Sequence, residues 1–147
     1  SHVIPALIKK FHLGKLKNKP VSCWGSGIPL REFLHVDDLA NACIYSLEKL
    51  DFKDRDYSMD NKGNPLSFLN IGSGEELSIK DLANKVANIV GYTGKIIWDI
   101  DKPDGTPRKL LDSSRIRMTG WEPKIDLIKG LKNTYEEFKK IFIKFNN

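Results

Sequence analysis

Apolar residues recur at helical spacing in four stretches of the chain, and each stretch predicts a helix. Ile4, Leu7, Ile8 and Phe11 fall at i, i+3, i+4 and i+7, so Ser1 to about Lys17 reads as helical, with Pro5 tolerated in the first turn. His2 then stands at or just before the positive end of that helix. Leu39, Ala42, Cys43, Leu47 and Leu50 form a second stripe, behind an Asp37 placed to cap it. The third helix carries the fullest set of signals: Ser78 as N-cap, Asp81 at N3, Leu77 and Leu82 as a staple, and Gly91 just past the end. Its expected inner face is Ile79, Leu82, Ala83, Val86, Ile89 and Val90. Asp126 caps the last helix, which turns Leu131, Tyr135, Phe138, Phe142 and Phe145 inward. Between these lie short strands at Val21–Trp24, Phe68–Ile71 and Lys95–Trp98, an extended Arg31–Val36, and a short helix at Ser113–Thr119 closed by Gly120. Polar Asp51–Ser67, with its Gly63-Asn64-Pro65, reads as a long surface loop. The pattern predicts an α/β fold with four main helices and few strands.

Composition narrows the partners. The chain has 147 residues, 40% hydrophobic and 29% charged, which fits one soluble globular domain with a real core. A net charge of +5 admits an anionic ligand, but the cations are scattered in pairs such as Lys9-Lys10 and Lys139-Lys140. Nucleic acid asks for a concentrated basic face, so it is not the expected partner. Cys23 and Cys43 form no Cys-x-x-Cys and the histidines do not cluster, which argues against a metal site and for a reducing compartment. No apolar run approaches the roughly 18 residues of a spanning helix, and no signal peptide opens the chain. The expectation is a soluble, cytoplasmic protein without a membrane partner.

Three stretches carry candidate chemistry. KPDGTPRKLLD (Lys102–Asp112) is kept from regular structure by Pro103, Gly105 and Pro107, and it fixes Asp104, Arg108 and Lys109 on a constrained loop. Fixed charges of this kind suit a phosphorylated ligand, because less ordering entropy is lost on binding; a solvated charged turn reads the same way. Gly72-Ser73-Gly74-Glu75-Glu76-Leu77 lies between a strand and a helix, as a dinucleotide-binding turn does. Leu77 replaces the third glycine, however, and Glu75 and Glu76 would repel a pyrophosphate, so a plain strand-to-helix turn is expected. Tyr45-x-x-x-Lys49 and Tyr135-x-x-x-Lys139 share the spacing of a reductase tyrosine–lysine pair. With no dinucleotide fold before either, both read as structural.

KPDGTPRK, WGSGIPLREFLHVDDLA and the opening SHVIPALIKKF together resemble the C-terminal part of the GDP-L-fucose synthase family, extended short-chain dehydrogenase/reductases acting on nucleotide sugars. The resemblance runs in order along nearly the whole chain, apart from Asp51–Ser67. It implies that residues 1–147 are a C-terminal substrate-binding portion, with most of the Rossmann sheet and the N-terminal NADP-binding domain absent. Trp24, Arg31, Asp104 and Lys109 match positions that bind the GDP-sugar, and Lys10 falls where relatives often carry arginine. His2 matches the acid partner of a catalytic cysteine that neither Cys23 nor Cys43 matches, and it is the position of this chain implied to reach the cofactor, NADP (NADPH). The full enzyme would be a homodimer that epimerises and reduces a GDP-sugar, with the fragment inactive alone. Without the resemblance, Trp24 reads equally as a core aromatic, Arg31 as half of a surface ion pair, and His2 as a helix-start residue. Another nucleotide-sugar epimerase or dehydratase, or a non-catalytic sugar-nucleotide-binding module, remain alternatives.

Overall fold

The computed structural model describes residues 2–51, 53, 59–60 and 62–146, the side chains of Phe145 and Asn146 aside. Ser1, much of the predicted 51–67 loop and the inward turn of Phe145 thus fall outside the described residues. The elements run α1 (Val3–Lys17), β1 (Val21–Trp24), β2 (Leu30–Glu32), α2 (Val36–Lys49), β3 (Glu76–Ser78), α3 (Ile79–Val90), β4 (Ile96–Asp99), β5 (Arg108–Lys109), α4 (Ser114–Met118) and α5 (Leu127–Asn146). The expected α/β class is met, with four long helices and one short one among the described residues. Strands β1 and β4 pair in parallel, Val21 opposite Ile96 and Trp24 opposite Asp99. A second, three-stranded sheet has the order β3-β2-β5.

Two compact units result. The first comprises Ser1–Arg31, Leu77–Arg108 and Ile128–Asn147. In it α1 packs on α3 and on β1. Leu7, Ile8 and Phe11 of α1 are buried as the periodicity predicts, and Phe11 meets the ring of Tyr92 at 5.2 Å. Gly14 lets the helix close on the strand: a Cβ there would lie 2.5 Å from Val21 Cγ2. Helix α3 follows its sequence signals closely. Ser78 Oγ accepts from Asp81 N–H at 3.0 Å and donates to Asp81 Oδ2 at 2.6 Å, while Gly91 closes the far end at φ +71°. On α5, Leu131 and Tyr135 are buried, and the His12 ring of α1 lies edge-on to Tyr135, Phe138 and Phe142.

The second unit, Glu32–Glu76 and Lys109–Leu127, corrects several expectations. Helix α2 is capped by His35, whose Nδ1 accepts from Asp37 N–H at 3.2 Å; Asp37 lies inside the first turn. Of the predicted inner stripe only Ala42 is buried: Leu39 and Cys43 are exposed, Leu47 is 86% exposed and Leu50 is half-buried. Asp38, outside that stripe, is the other buried position of the helix. The reason is polar: both carboxylate oxygens of Asp38 accept backbone N–H groups, from Lys124 at 3.0 Å and Ile125 at 2.9 Å. On the same side, Trp121 Nε1 donates to Asn41 Oδ1 at 3.0 Å, and Tyr45 packs with Ala42, Ile116 and Trp121. Phe68–Ile71 is no strand and Phe68 is exposed, since no partner strand pairs with it among the described residues. Of the 51–67 loop, the described residues 59–60 and 62–65 close on Asp60, which accepts from the N–H groups of Lys62 and Asn64 and from Asn64 Nδ2.

Candidate ligand-binding site

The site residues of the first unit gather along β1, the turn after it, and the 100–107 segment. Strand β1 alternates, so Val21 and Cys23 face the core while Ser22 and Trp24 face out. Trp24 is therefore 68% exposed and is not a core aromatic. Lys10 reaches its ring from α1: the ammonium donates to Ser22 O at 2.8 Å and stands 5.7 Å from the ring centroid. The ammonium of Lys102 stands 5.9 Å from the same centroid.

The 100–107 segment is fastened along the Trp24–Arg31 stretch at successive points. Asp99 O accepts from Gly25 N–H at 2.9 Å and from Lys102 N–H at 3.2 Å. Asp104 then accepts from Ser26 twice, Oδ1 from the amide at 2.9 Å and Oδ2 from the hydroxyl at 2.6 Å. Leu30 N–H donates to Pro107 O at 2.8 Å. This latch requires glycine at 25, where φ is +78° and a Cβ would run into Asp104 Oδ1. The Ser26 hydroxyl, and after it the Ser26 amide, hold the Asp104 carboxyl below the usual carboxylate range. Each carboxylate oxygen has a second lone pair, so Asp104 keeps acceptor capacity toward a ligand hydroxyl.

Arg31 follows in β2. Its Nη1 donates to Leu30 O at 2.6 Å, and its Nη2 lies 2.9 Å from where a side chain would begin at Gly105. Among the described residues no carboxylate pairs with its guanidinium. One loop thus touches the Trp24 ring, Asp104's latch and Arg31. Lys109 belongs to the second unit, exposed in β5. His2 is the exposed N-cap residue of α1; its side chain makes no capping bond, and its carbonyl accepts from Ala6 N–H at 3.2 Å. It lies eight residues from Lys10, roughly 12 Å along the helix. Sequence reasoning passed over Ser26 and Lys102. Lys102 opens KPDGTPRK, and the outward phase of Trp24 was the signal available; nothing local marks Ser26, which is 78 residues from its partner.

The glycine-rich turn does not fit a pyrophosphate. Gly74 N–H, the donor such a ligand would use, donates to Glu32 Oε1 at 2.6 Å, and Glu32 Oε2 accepts from Leu111 N–H at 3.1 Å. A carboxylate of the protein already occupies the anion position. Both tyrosine–lysine pairs are engaged within the fold. Tyr45 donates to Thr119 O at 2.5 Å, and the Tyr135 hydroxyl meets His12 Nδ1 at 3.0 Å. Among the described residues there is no cluster of three metal-ligating side chains, and no helix is long and apolar enough to cross a membrane.

Comparison with known proteins adds the relatives. The model of the NAD dependent epimerase/dehydratase family matches residues 1–59. A putative GDP-L-fucose synthase 2 of Arabidopsis thaliana is 51% identical over 92% of this chain and 38% of its own length. A GDP-L-fucose synthase of Escherichia coli (strain K12) is 47% identical over 94% of the chain and 42% of its own. The structure of a GDP-mannoheptose C4 reductase from Campylobacter jejuni with NADP bound superposes with a TM-score of 0.76 at 38% identity, covering 95% of this chain and 45% of that one. The chain therefore matches the C-terminal part of GDP-L-fucose synthases over nearly its whole length, as KPDGTPRK and WGSGIPLREFLHVDDLA lead one to expect, and it spans about two-fifths of the curated relatives it matches.

Proposed function

Taking the chain as the counterpart of the C-terminal part of GDP-L-fucose synthases, we propose that residues 1–147 are the substrate-binding portion of an NADPH-dependent enzyme that converts GDP-4-keto-6-deoxy-mannose to GDP-L-fucose. In this reading Arg31 and Lys109 hold the diphosphate, Trp24 lays its ring against the base or sugar, and Lys10 and Asp104 complete the grip. The 4-ketone acidifies the C–H bonds at C3 and C5, so a base and an acid on opposite faces can invert each centre through an enolate. His2 is the acid, returning a proton to the enolate carbon, and the base is a cysteine outside this chain. Bound NADPH supplies the hydride for C4. The glycine-rich turn is unsuited to that cofactor, which falls to an N-terminal domain, with His2 alone reaching it from here. The chain by itself is inactive; the whole enzyme is a cytoplasmic homodimer.

One observation carries the reading: the 100–107 loop is fastened on the Trp24–Arg31 stretch while the Trp24 ring stays open to solvent and, among the described residues, the Arg31 fork stays clear of carboxylates. A planar fork suits a diphosphate and an exposed indole suits a flat ring. Isothermal titration of this chain with GDP tests it. GDP should bind, and Arg31→Ala and Lys109→Ala should each raise Kd roughly tenfold or more, the cost of a charge-assisted contact. NADPH should not bind, and no turnover should be seen. Absence of GDP binding overturns the reading, and micromolar NADPH affinity overturns the division of labour.

A further inference from the structure

Trp24 is served by two cations, and the resemblance assigns only one of them. Lys10 is tethered through its ammonium to Ser22 O, which fixes that charge beside the ring. Lys102 is fixed differently, through its backbone. Its N–H donates to the same Asp99 carbonyl that receives Gly25 N–H, at the shared end of β1 and β4. Two residues on, Asp104 is latched to Ser26. The stem of Lys102 therefore starts from an anchored loop, and its ammonium comes to 5.9 Å from the Trp24 centroid.

Among the described residues that ammonium has no carboxylate and no hydrogen-bond acceptor, and the ring is its one partner there. Two ammonium groups drawn to one exposed indole repel each other, and an exposed cation–ring contact is too weak to be the whole purpose of such a pair. An anion beside the ring would change the balance. It would accept from both ammonium groups while its aromatic part lies on the indole. A nucleoside diphosphate carries both features, a flat base and a dense negative charge a few ångströms away.

We infer that Lys102 is a phosphate-gripping residue of this site, working with Lys10 beside the Trp24 ring. The inference rests on the GDP-sugar reading above and adds a residue to it. The tether predicts the kind of contact: Lys102 can swing its ammonium toward phosphate without moving the loop, so its loss should weaken binding and leave folding intact.

The experiment uses this chain and three probes, GDP, guanosine and inorganic pyrophosphate, measured by titration calorimetry. Lys102→Ala and Lys102→Gln should raise the Kd for GDP about tenfold and weaken pyrophosphate in parallel, while guanosine is unaffected. Lys102→Arg should restore most of the affinity. Lys132→Ala, on α5 and outside the site, is the control and should change nothing. GDP binding that is weakened by Arg31→Ala and untouched by Lys102→Ala would overturn the Lys102 assignment and leave the site reading standing. An equal loss for guanosine and GDP would also overturn it, since the residue would then act on the base. If the parent chain binds no GDP at all, the site reading fails and this inference fails with it.

Discussion

Trp24 and Trp121 make a matched pair, because the same deletion should act on stability in one case and on binding in the other. Trp121 is 3% exposed, packs with Ala42 and Ile116, and donates through Nε1 to Asn41 Oδ1 at 3.0 Å. Removing a buried aromatic of that size costs about 3–5 kcal/mol, from lost transfer energy plus the cavity left behind. A chain of this length loses roughly 2–4 °C of Tm per kcal/mol, so Trp121→Ala should melt roughly 6–20 °C below the parent. Trp24 is 68% exposed, and what it contributes to the fold is two exposed cation–ring contacts. These are worth about 0.5–1 kcal/mol each at most in water, so Trp24→Ala should lose at most about 2 kcal/mol, roughly 4–8 °C and less than Trp121→Ala loses at the same slope. Binding should reverse the order. A stacked base is worth about 1–3 kcal/mol by alanine substitution, so Trp24→Ala should weaken GDP by about tenfold, whereas Trp121→Ala, titrated well below its Tm, should bind GDP as the parent does. Circular-dichroism melts and calorimetric titration supply both numbers. If Trp24→Ala unfolds the protein as readily as Trp121→Ala, the exposure argument is refuted. If it is stable and binds GDP unchanged, the indole is no part of the site.

Two further outcomes follow from the packing. Asp38→Ala should cost about 2–3 kcal/mol, because Lys124 and Ile125 lose the acceptor for their N–H groups; Asp38→Asn, which keeps one acceptor, should cost less, and equal denaturant midpoints for parent and Ala variant would rule the anchor out. Burial first, and then the charges of Lys15 and Lys139, hold the His12 imidazole below its usual range. A lowered folded-state value means that the stability from neutral His12 is full above about pH 6.5 and is lost as pH falls through the lowered value. Tm of the parent should therefore decline on acidification below about pH 6.5, while His12→Asn, which lacks the titrating ring, should decline less; parallel curves would show that His12 is not the group responsible.

Whether an element could be read from the chain depended on where its partners lie. Helix α3 was legible because each of its signals is local: Ser78, Asp81 and Gly91 stand within one stretch and act on one another there. Strand β1 was legible too, and its period of two already held the outward phase of Trp24. Helix α2 was legible only in part: of the apolar stripe Leu39, Ala42, Cys43, Leu47 and Leu50, Ala42 alone is buried. The buried side is set by Asp38, Asn41 and Tyr45, and their partners at Lys124, Ile125, Trp121 and Thr119 lie 74 to 87 residues away. A carboxylate goes inside only if donors wait for it, and no local pattern announces donors on a distant turn. The motif REFLHVDDLA shows how far this reaches. Its Glu32 binds Gly74 and Leu111 N–H, its His35 caps α2, and its Asp38 holds the 124–125 turn. Three of its polar residues therefore serve the fold, Asp37 lies exposed beside His35, and Arg31, clear of any carboxylate among the described residues, is the one the proposed site uses. Asp104 carries the same lesson from the other direction. Sequence reading treated it as a ligand contact, yet both its oxygens are already held by Ser26. Any role it has toward substrate must therefore work alongside, or through, the latch that presents Trp24 and Lys102.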